Sequence, residues 1–317
     1  MPIDPQAAAF LQDLASSGSK LIHYLPPAEA RLATLSSKER RGKPEAVARI
    51  RYEFIPGPTA DLPILIYEPL ESTGGNLLPG LVYFHGGGWV LNNITLLDSV
   101  SRAICNQTGC KLVAVNYQKA PEHKFPIPFD DCYASTEWVF EHADDLGIDR
   151  NRIGVIGDSA GGNLAAAVAL KARDVAGPNI AYQVLIYPAL QYGWDTPSAI
   201  ANATGYFLER DAMKCYWNHY VREPSDGANP YCSPLAATDH SGLPPALVVS
   251  AEFDPLCDDG KYYSDKLQQS GVPVKFSFYE GQIHGFLSMA GILNAAQTLF
   301  DEIGSEVRLN LNVRKPV

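Results

Sequence analysis

Three short stretches, far apart in the chain, carry residue types suited to acyl transfer. In Gly157-Asp158-Ser159-Ala160-Gly161 a serine sits between two glycines, after the β-rich residues 152–156 and before the helix-compatible residues 162–170. Glycines there let the chain turn sharply, so the hydroxyl stands above a strand end where a base and a carbonyl can reach it. Alone the pattern is weak, since a bare G-x-S-x-G recurs by chance in roughly one chain in ten of this length. Its weight comes from two partners. His85-Gly86-Gly87-Gly88-Trp89 follows the apolar run 81–84. Consecutive glycines there let the backbone approach a ligand and turn amide N–H groups toward it, which is what a developing oxyanion needs. A serine nucleophile also needs a base and an orienting carboxylate. His284, in Gly281-Gln282-Ile283-His284-Gly285-Phe286, and Asp254, in Glu252-Phe253-Asp254-Pro255-Leu256-Cys257-Asp258, each follow a strand-like run.

Each residue also has a plainer reading. The Gly86–Gly88 run is open to reading as a flexible loop or a nucleotide-binding turn. G-x-G-x-x-G fails here, however, because Leu91 stands where the third glycine belongs and no acidic residue follows at the required distance. Asp254 is open to reading as a turn starter and His284 as a solvated loop residue. Asp258 is the rival carboxylate. It reads as the N-cap of a helix beginning at Gly260, and Asp254 lies nearer the strand end. Glu122 and His123 read as structural, and His23, His142, His219 and His240 as surface or lid residues. No pair of histidines has H-E-x-x-H spacing, so neither a metal nor another cofactor is expected.

These residues must be positioned by a scaffold, and the patterning specifies one. Asp4 as N-cap, Pro5, and Phe10, Leu11 and Leu14 on one face predict a helix over 4–16. A second helix is expected over 28–41, carrying Leu32 and Leu35. Two β-rich runs, 47–55 and 63–67, are joined by a turn at 57–61. Then strands at 81–84, 112–115, 153–156 and 182–186 alternate with helices beginning at 99 and spanning 129–141 and 164–175. Strands return at 246–250 and 272–278, with helices at 260–269 and 290–303. Alternation with continuous apolar strands means an α/β fold, a mainly parallel eight-stranded sheet with helices on both faces. Residues 189–243 interrupt it with turn signals and a helical spacing of Met213, Trp217 and Tyr220. We therefore expect N-terminal cap helices (1–45), a catalytic domain (46–188 and 244–317) and a cap insertion (189–243).

Composition narrows the class further. A chain of 317 residues with 46% hydrophobic and 19% charged residues fits a globular enzyme rather than a disordered or coiled-coil protein. A net charge of -10 argues against nucleic acid and against an anionic membrane surface as partners. No apolar run approaches the ~18 residues that span a bilayer, and Met1-Pro2-Ile3-Asp4-Pro5 lacks a signal-peptide pattern, so a cytoplasmic location is expected. Six cysteines without C-x-x-C spacing read as small apolar residues in a reducing compartment, a Cys105–Cys110 bridge being the alternative. The sequons at Asn93, Asn106 and Asn202 then read as coincidence.

The order Ser159, Asp254, His284 is that of α/β-hydrolases, unlike chymotrypsin or subtilisin. Together with HGGGW, residues 116–126 (NYQKAPEHKFP), GDSAGG, DPL-x-D and IHGF, the chain resembles the hormone-sensitive-lipase-like carboxylesterases, bacterial family IV, over roughly residues 60–300. The resemblance implies an α/β-hydrolase fold with a helical cap. It implies a triad of Ser159, Asp254 and His284, and an oxyanion hole from Gly87, Gly88 and Ala160, with Gly86 beside them. It implies short- to medium-chain esters as small-molecule substrates, with amidase, deacetylase or lactonase activity as variants. Gln118-Lys119 departs from the Arg-Leu common in the family, which puts local packing in question but not catalysis. A small-molecule receptor on the same scaffold is the alternative class, and it would be expected to lack a triad member. An exposed edge at 272–279 leaves monomer and homodimer both open.

Overall fold

The computed structural model describes residues 2–18, 22–70 and 77–313; residue 1 and residues 314–317, at the outer ends of the expected domains, lie outside it. Every residue of strand β3 (Leu78–Phe84) is buried, as expected of a strand covered on both faces. Leu81 and Tyr83 enter one apolar cluster and Val82 and Phe84 the other, following the two-residue period of a strand. The same division runs through β4 (Lys111–Val115), β5 (Ile148–Asp158), β6 (Tyr182–Ile186) and β7 (Ala246–Phe253). With β1 (Arg49–Ile55), β2 (Leu62–Glu68) and β8 (Val274–Ile283) they form one eight-stranded sheet, ordered β1-β2-β4-β3-β5-β6-β7-β8. β2 runs antiparallel to both neighbours, and β4 through β8 are parallel.

Helices cover both faces. Helix α3 (Asp98–Thr108) and the last helix, α10 (Asn294–Asn310), pack on one side together with α1 (Pro5–Ser16). The other side carries α4 (Ile127–Glu141), the short α5 (Ala143–Leu146), α6 (Ala160–Asp174) and α9 (Cys257–Gln269). Because the central strands are parallel, their C-terminal ends share one edge, the place where open α/β sheets bind ligands. Over that edge lie α2 (Pro27–Ala33), α7 (Pro197–Ala201) and α8 (Arg210–Tyr220). No strand forms within 189–243.

Several expectations shift in detail. The helix expected over 28–41 stops at Ala33 and continues as 3₁₀ turns, Thr34–Ser37 and Glu39–Arg41. Leu32 and Leu35 face solvent rather than forming a buried stripe. Thr34 and Ser36 hydroxyls donate to the carbonyls of Arg31 and Ala33, three residues back, a bond that competes with the helical ladder. The last helix starts at Asn294 instead of 290; ahead of it Gly291 N–H donates to Arg40 O at 2.9 Å. His240, expected at the surface or in the lid, is buried, with Nε2 3.2 Å from Pro234 O. All six cysteines are free thiols, and Cys105 Sγ donates to Cys110 O at 3.2 Å in place of a bridge.

Candidate active site

Four strands deliver the four groups. β3 ends at Phe84 and releases the His85–Trp89 loop; β5 ends at Asp158, β7 at Phe253 and β8 at Ile283, so Ser159, Asp254 and His284 follow their strands directly. Ser159 holds φ 57° and ψ -120°, a strained conformation for a residue with a side chain. Its N–H donates to Ile186 O at 2.8 Å, which fixes the turn against β6. The flanking glycines are required by contact: a Cβ on Gly161 would strike the Phe84 carbonyl, and one on Gly157 the Gly161 carbonyl. We expect Gly161→Ala to cost about 3 kcal/mol and to lower Tm by roughly 4–5 °C in a thermal melt. Gly193, where a Cβ has its nearest neighbour at 3.6 Å, is the control that should tolerate alanine.

Ser159 Oγ lies 2.8 Å from His284 Nε2, and His284 Nδ1 lies 2.7 Å from Asp254 Oδ2. Asp254 is wholly buried; its Oδ1 accepts the Leu256 N–H at 2.8 Å, and its carbonyl accepts Asn202 Nδ2 at 3.2 Å. The Tyr187 ring packs on the imidazole with centroids 4.7 Å apart. Asp258 is elsewhere. Helix α9 begins at Cys257 with Leu256 in the capping position and no side-chain cap, so Asp258 is not its N-cap. It accepts the Ser198 N–H at 2.7 Å and ties α7 to α9.

The glycine loop is set by buried polar contacts. Burial pulls the His85 pKa down to about 3, so its ring is neutral, and Nδ1–H donates to Gly86 O at 2.9 Å. Asn92 Nδ2 donates to the same oxygen at 3.1 Å. Two donors on one face of the Gly86–Gly87 peptide turn the Gly87 N–H to the opposite face. Gly87 and Gly88 hold φ of +124° and +59°, and neither N–H has an acceptor among the described residues. Ala160 opens α6, where the N–H has no partner within the helix. Gly86 differs from the other expected donors: its own N–H donates to Asp158 Oδ1 at 3.0 Å and is already engaged.

Asp158 therefore has a role that sequence reasoning did not assign. Its Oδ1 accepts both Gly86 N–H and Tyr83 OH, the latter at 2.8 Å, and so joins the glycine loop to the serine turn. Burial raises its pKa, opposed by those two hydrogen bonds. Asn163 does similar work, donating to Ala189 O and Cys232 O at 2.7 and 2.8 Å. Asn202 stands out in the sequence only as a sequon, yet it is buried and holds the Asp254 loop. Gln118 binds buried Asp131, while Lys119 binds Asn116 Oδ1 and lies over the Tyr117 ring. Tyr117 OH in turn donates to His85 O at 2.7 Å, so this departure from the family pattern sits one residue behind the glycine loop. Glu122 pairs with Arg31, which also donates to Val90 O and Ala120 O, a structural role as expected.

A cavity of about 340 Å³ opens over Ser159. Its apolar walls include Leu14, Phe207, Leu208, Met213, Tyr216 and Leu256. Phe10 does not reach it and packs edge-on against Phe207, at 5.5 Å between centroids. Trp89 stacks on Tyr220 at 4.3 Å and meets Trp217 at 4.4 Å, so α8 is anchored on the glycine loop itself. Among the described residues no cluster of acidic, histidine or cysteine side chains has metal-site geometry, and no helix is long and apolar enough to cross a membrane.

Comparison with known proteins agrees with this geometry. Residues 81–288 match the family model described as alpha/beta hydrolase fold. An arylesterase of Saccharolobus solfataricus is 36% identical over 288 residues, covering 90% of this chain and 93% of the relative. An ethyl acetate hydrolase of Pseudomonas putida is 33% identical over 307 residues, covering 93% and 95%. Among solved structures, an ester hydrolase from the metagenome of Lake Arreo, complexed with a bipyridine phosphonate derivative, superposes with a TM-score of 0.95 at 36% identity, covering 98% of this chain and 100% of the other. The chain belongs to the α/β-hydrolase fold family, in its hormone-sensitive-lipase-like (bacterial family IV) branch.

Proposed function

We propose that this protein is a serine carboxylesterase in which Ser159, His284 and Asp254 form the triad. The observation that carries the reading is the unbroken contact from Ser159 Oγ through the imidazole to the buried Asp254 carboxylate, at 2.8 and 2.7 Å. His284 takes the Ser159 proton as the hydroxyl attacks the ester carbonyl, and Asp254 holds the tautomer and stabilises the imidazolium. The N–H groups of Gly87, Gly88 and Ala160 receive the oxyanion, worth ~3 kcal/mol per donor in comparable sites. His284 then protonates the departing alcohol, and a water activated by the same imidazole releases the acid from the acyl-enzyme.

Residues 1–45 and 189–243 act as the cap, and 46–188 with 244–317 as the catalytic domain. The contact between Phe10 and Phe207, and the Cys215 Sγ bond to His23 O at 3.4 Å, support a cap made from both segments. The cavity stands at the small end of the usual range for ligand sites, which favours short- to medium-chain substrates. Free and mostly buried thiols fit a reducing cytoplasm. The protein works as a monomer or a homodimer, with β8, one of the two edge strands, available for pairing. A panel of p-nitrophenyl esters from two to sixteen acyl carbons, assayed beside a p-nitroanilide, tests the substrate class. We expect kcat/KM to peak among the shorter acyl chains and to fall steeply for the longest, with the anilide far slower. No turnover on any ester would overturn the reading in favour of a receptor.

A further inference from the structure

Besides its apolar walls and the polar groups around Ser159, the cavity is lined by two cations, Arg40 and Arg41. Arg41 is 8% exposed, and its Nη1 has no hydrogen-bond partner. Its Nη2 donates only to the neutral Asn92 Oδ1, at a long 3.3 Å. Arg40 places its guanidinium 5.2 Å above the Phe10 ring and has no carboxylate partner among the described residues. Two adjacent cations with no carboxylate in hydrogen-bond contact are a costly arrangement in a partly desolvated pocket. Burial and the neighbouring Arg40 charge pull the Arg41 pKa down to about 10, the direction expected of a cation short of compensation. Asp158 is the carboxylate whose charge Arg41 feels, but its Oδ1 is spent on Tyr83 and Gly86.

The position of Arg41 is enforced by the backbone. Gly291 N–H donates to Arg40 O at 2.9 Å, Ser99 Oγ donates to Arg41 O at 3.2 Å, and Gly42 at φ +79° lies against the Gly291 backbone. The chain that breaks the expected helix here thus holds a guanidinium at the cavity wall, in a protein of net charge -10. A buried donor without a partner calls for an acceptor, and a planar guanidinium suits a carboxylate.

We infer that the preferred substrate is an ester carrying a free carboxylate remote from the scissile bond, with Arg41 as the specificity-determining residue and Arg40 assisting. This rests on the esterase reading above. Binding would place the carboxylate at the unpaired Arg41 donors while the ester carbonyl reaches Ser159 and the apolar walls cover the chain between. The burial of each charge is then compensated by the other.

The test compares monoethyl esters of four- to eight-carbon dicarboxylic acids with ethyl esters of monocarboxylic acids of equal length, following ethanol release. Wild type should favour the best monoester over its neutral counterpart by about 10-fold or more in kcat/KM, the scale of a charged hydrogen bond. Arg41→Gln should lower that ratio by roughly 10- to 100-fold, mainly through KM. Arg41→Lys should fall between the two, because it keeps the charge but loses the planar fork. Wild-type preference for the neutral ester at every length overturns the inference. So does an equal loss on both series in Arg41→Gln, which would mean that Arg41 acts only through Asn92 on the glycine loop. Should Arg41→Gln fail to fold, the wild-type ratio and Arg41→Lys decide the matter. Hydrolysis of neither series defeats the esterase reading instead, so the two failures are distinct.

Discussion

Ser159→Ala should lower kcat for p-nitrophenyl ester hydrolysis by ~10³-fold or more while the protein stays folded. A loss of that size corresponds to about 4 kcal/mol of transition-state stabilisation. It is expected because alanine leaves the pocket and the proposed oxyanion donors in place but removes the hydroxyl proposed to form the acyl-enzyme. The fold should tolerate the change. The backbone of residue 159 carries the turn, with its N–H on Ile186 O and its carbonyl accepting Asn163 N–H and Ala189 N–H at 3.1 and 3.3 Å. Alanine can hold the same φ and ψ at no greater strain than serine. Loss of the hydroxyl breaks one hydrogen bond, to His284. Thermal melts of the two proteins should therefore nearly coincide, and covalent labelling by a phosphonate ester should vanish in the variant. Near-wild-type hydrolysis by Ser159→Ala would refute the assignment of the nucleophile.

Much of this candidate site is legible in the sequence because its residues sit at strand ends. Ser159, Asp254 and His284 are distant in sequence, yet each follows an apolar run that period and length mark as a strand of a parallel sheet. Parallel strands share their C-terminal edge, so loops that follow them must converge. The nature of the side chains then fixed the roles to be expected. What stayed hidden depends on contacts between elements with no local pattern. Asp158 lies inside the quoted serine motif, but that its carboxylate would bind Gly86 N–H follows only from β3 and β5 lying side by side. Asn202 carried a sequon signal that pointed outward, whereas tertiary packing buries it against the Asp254 loop. The helix expected over 28–41 failed for a related reason. Its leucines have no apolar surface to face, and backbone bonds to the 290–291 segment hold Arg40 and Arg41 at the cavity. Propensity marks a helix there, and long-range packing sets where it ends.

The choice of Asp254 over Asp258, which the sequence already favours by nearness to the strand end, sets up the sharper experiment. Asp254→Asn should lower kcat by about 10⁴-fold, close to the effect known for an asparagine in place of a triad aspartate. The hydrogen bonds around the residue explain why so small a change costs so much. Leu256 N–H needs an acceptor at one oxygen of residue 254, so the asparagine Oδ1 is drawn to that side. Its Nδ2 donor then faces His284 Nδ1, at the position where Asp254 Oδ2 stood 2.7 Å away. A donor there favours the imidazole with Nδ1 as acceptor, and neutral histidine must then carry its proton on Nε2. Nε2–H points at Ser159 Oγ and cannot accept the serine proton, so the base is disabled without any movement of the chain. Asp258→Asn differs in kind. Asp258 accepts Ser198 N–H at 2.7 Å, and its loss should cost about 1–2 kcal/mol of stability with kcat changed only a few-fold. Measured side by side, kcat should collapse in the first variant with little change in melting temperature, and the second should melt earlier while still turning over. Asp254→Asn retaining more than a tenth of wild-type kcat would remove Asp254 from the triad.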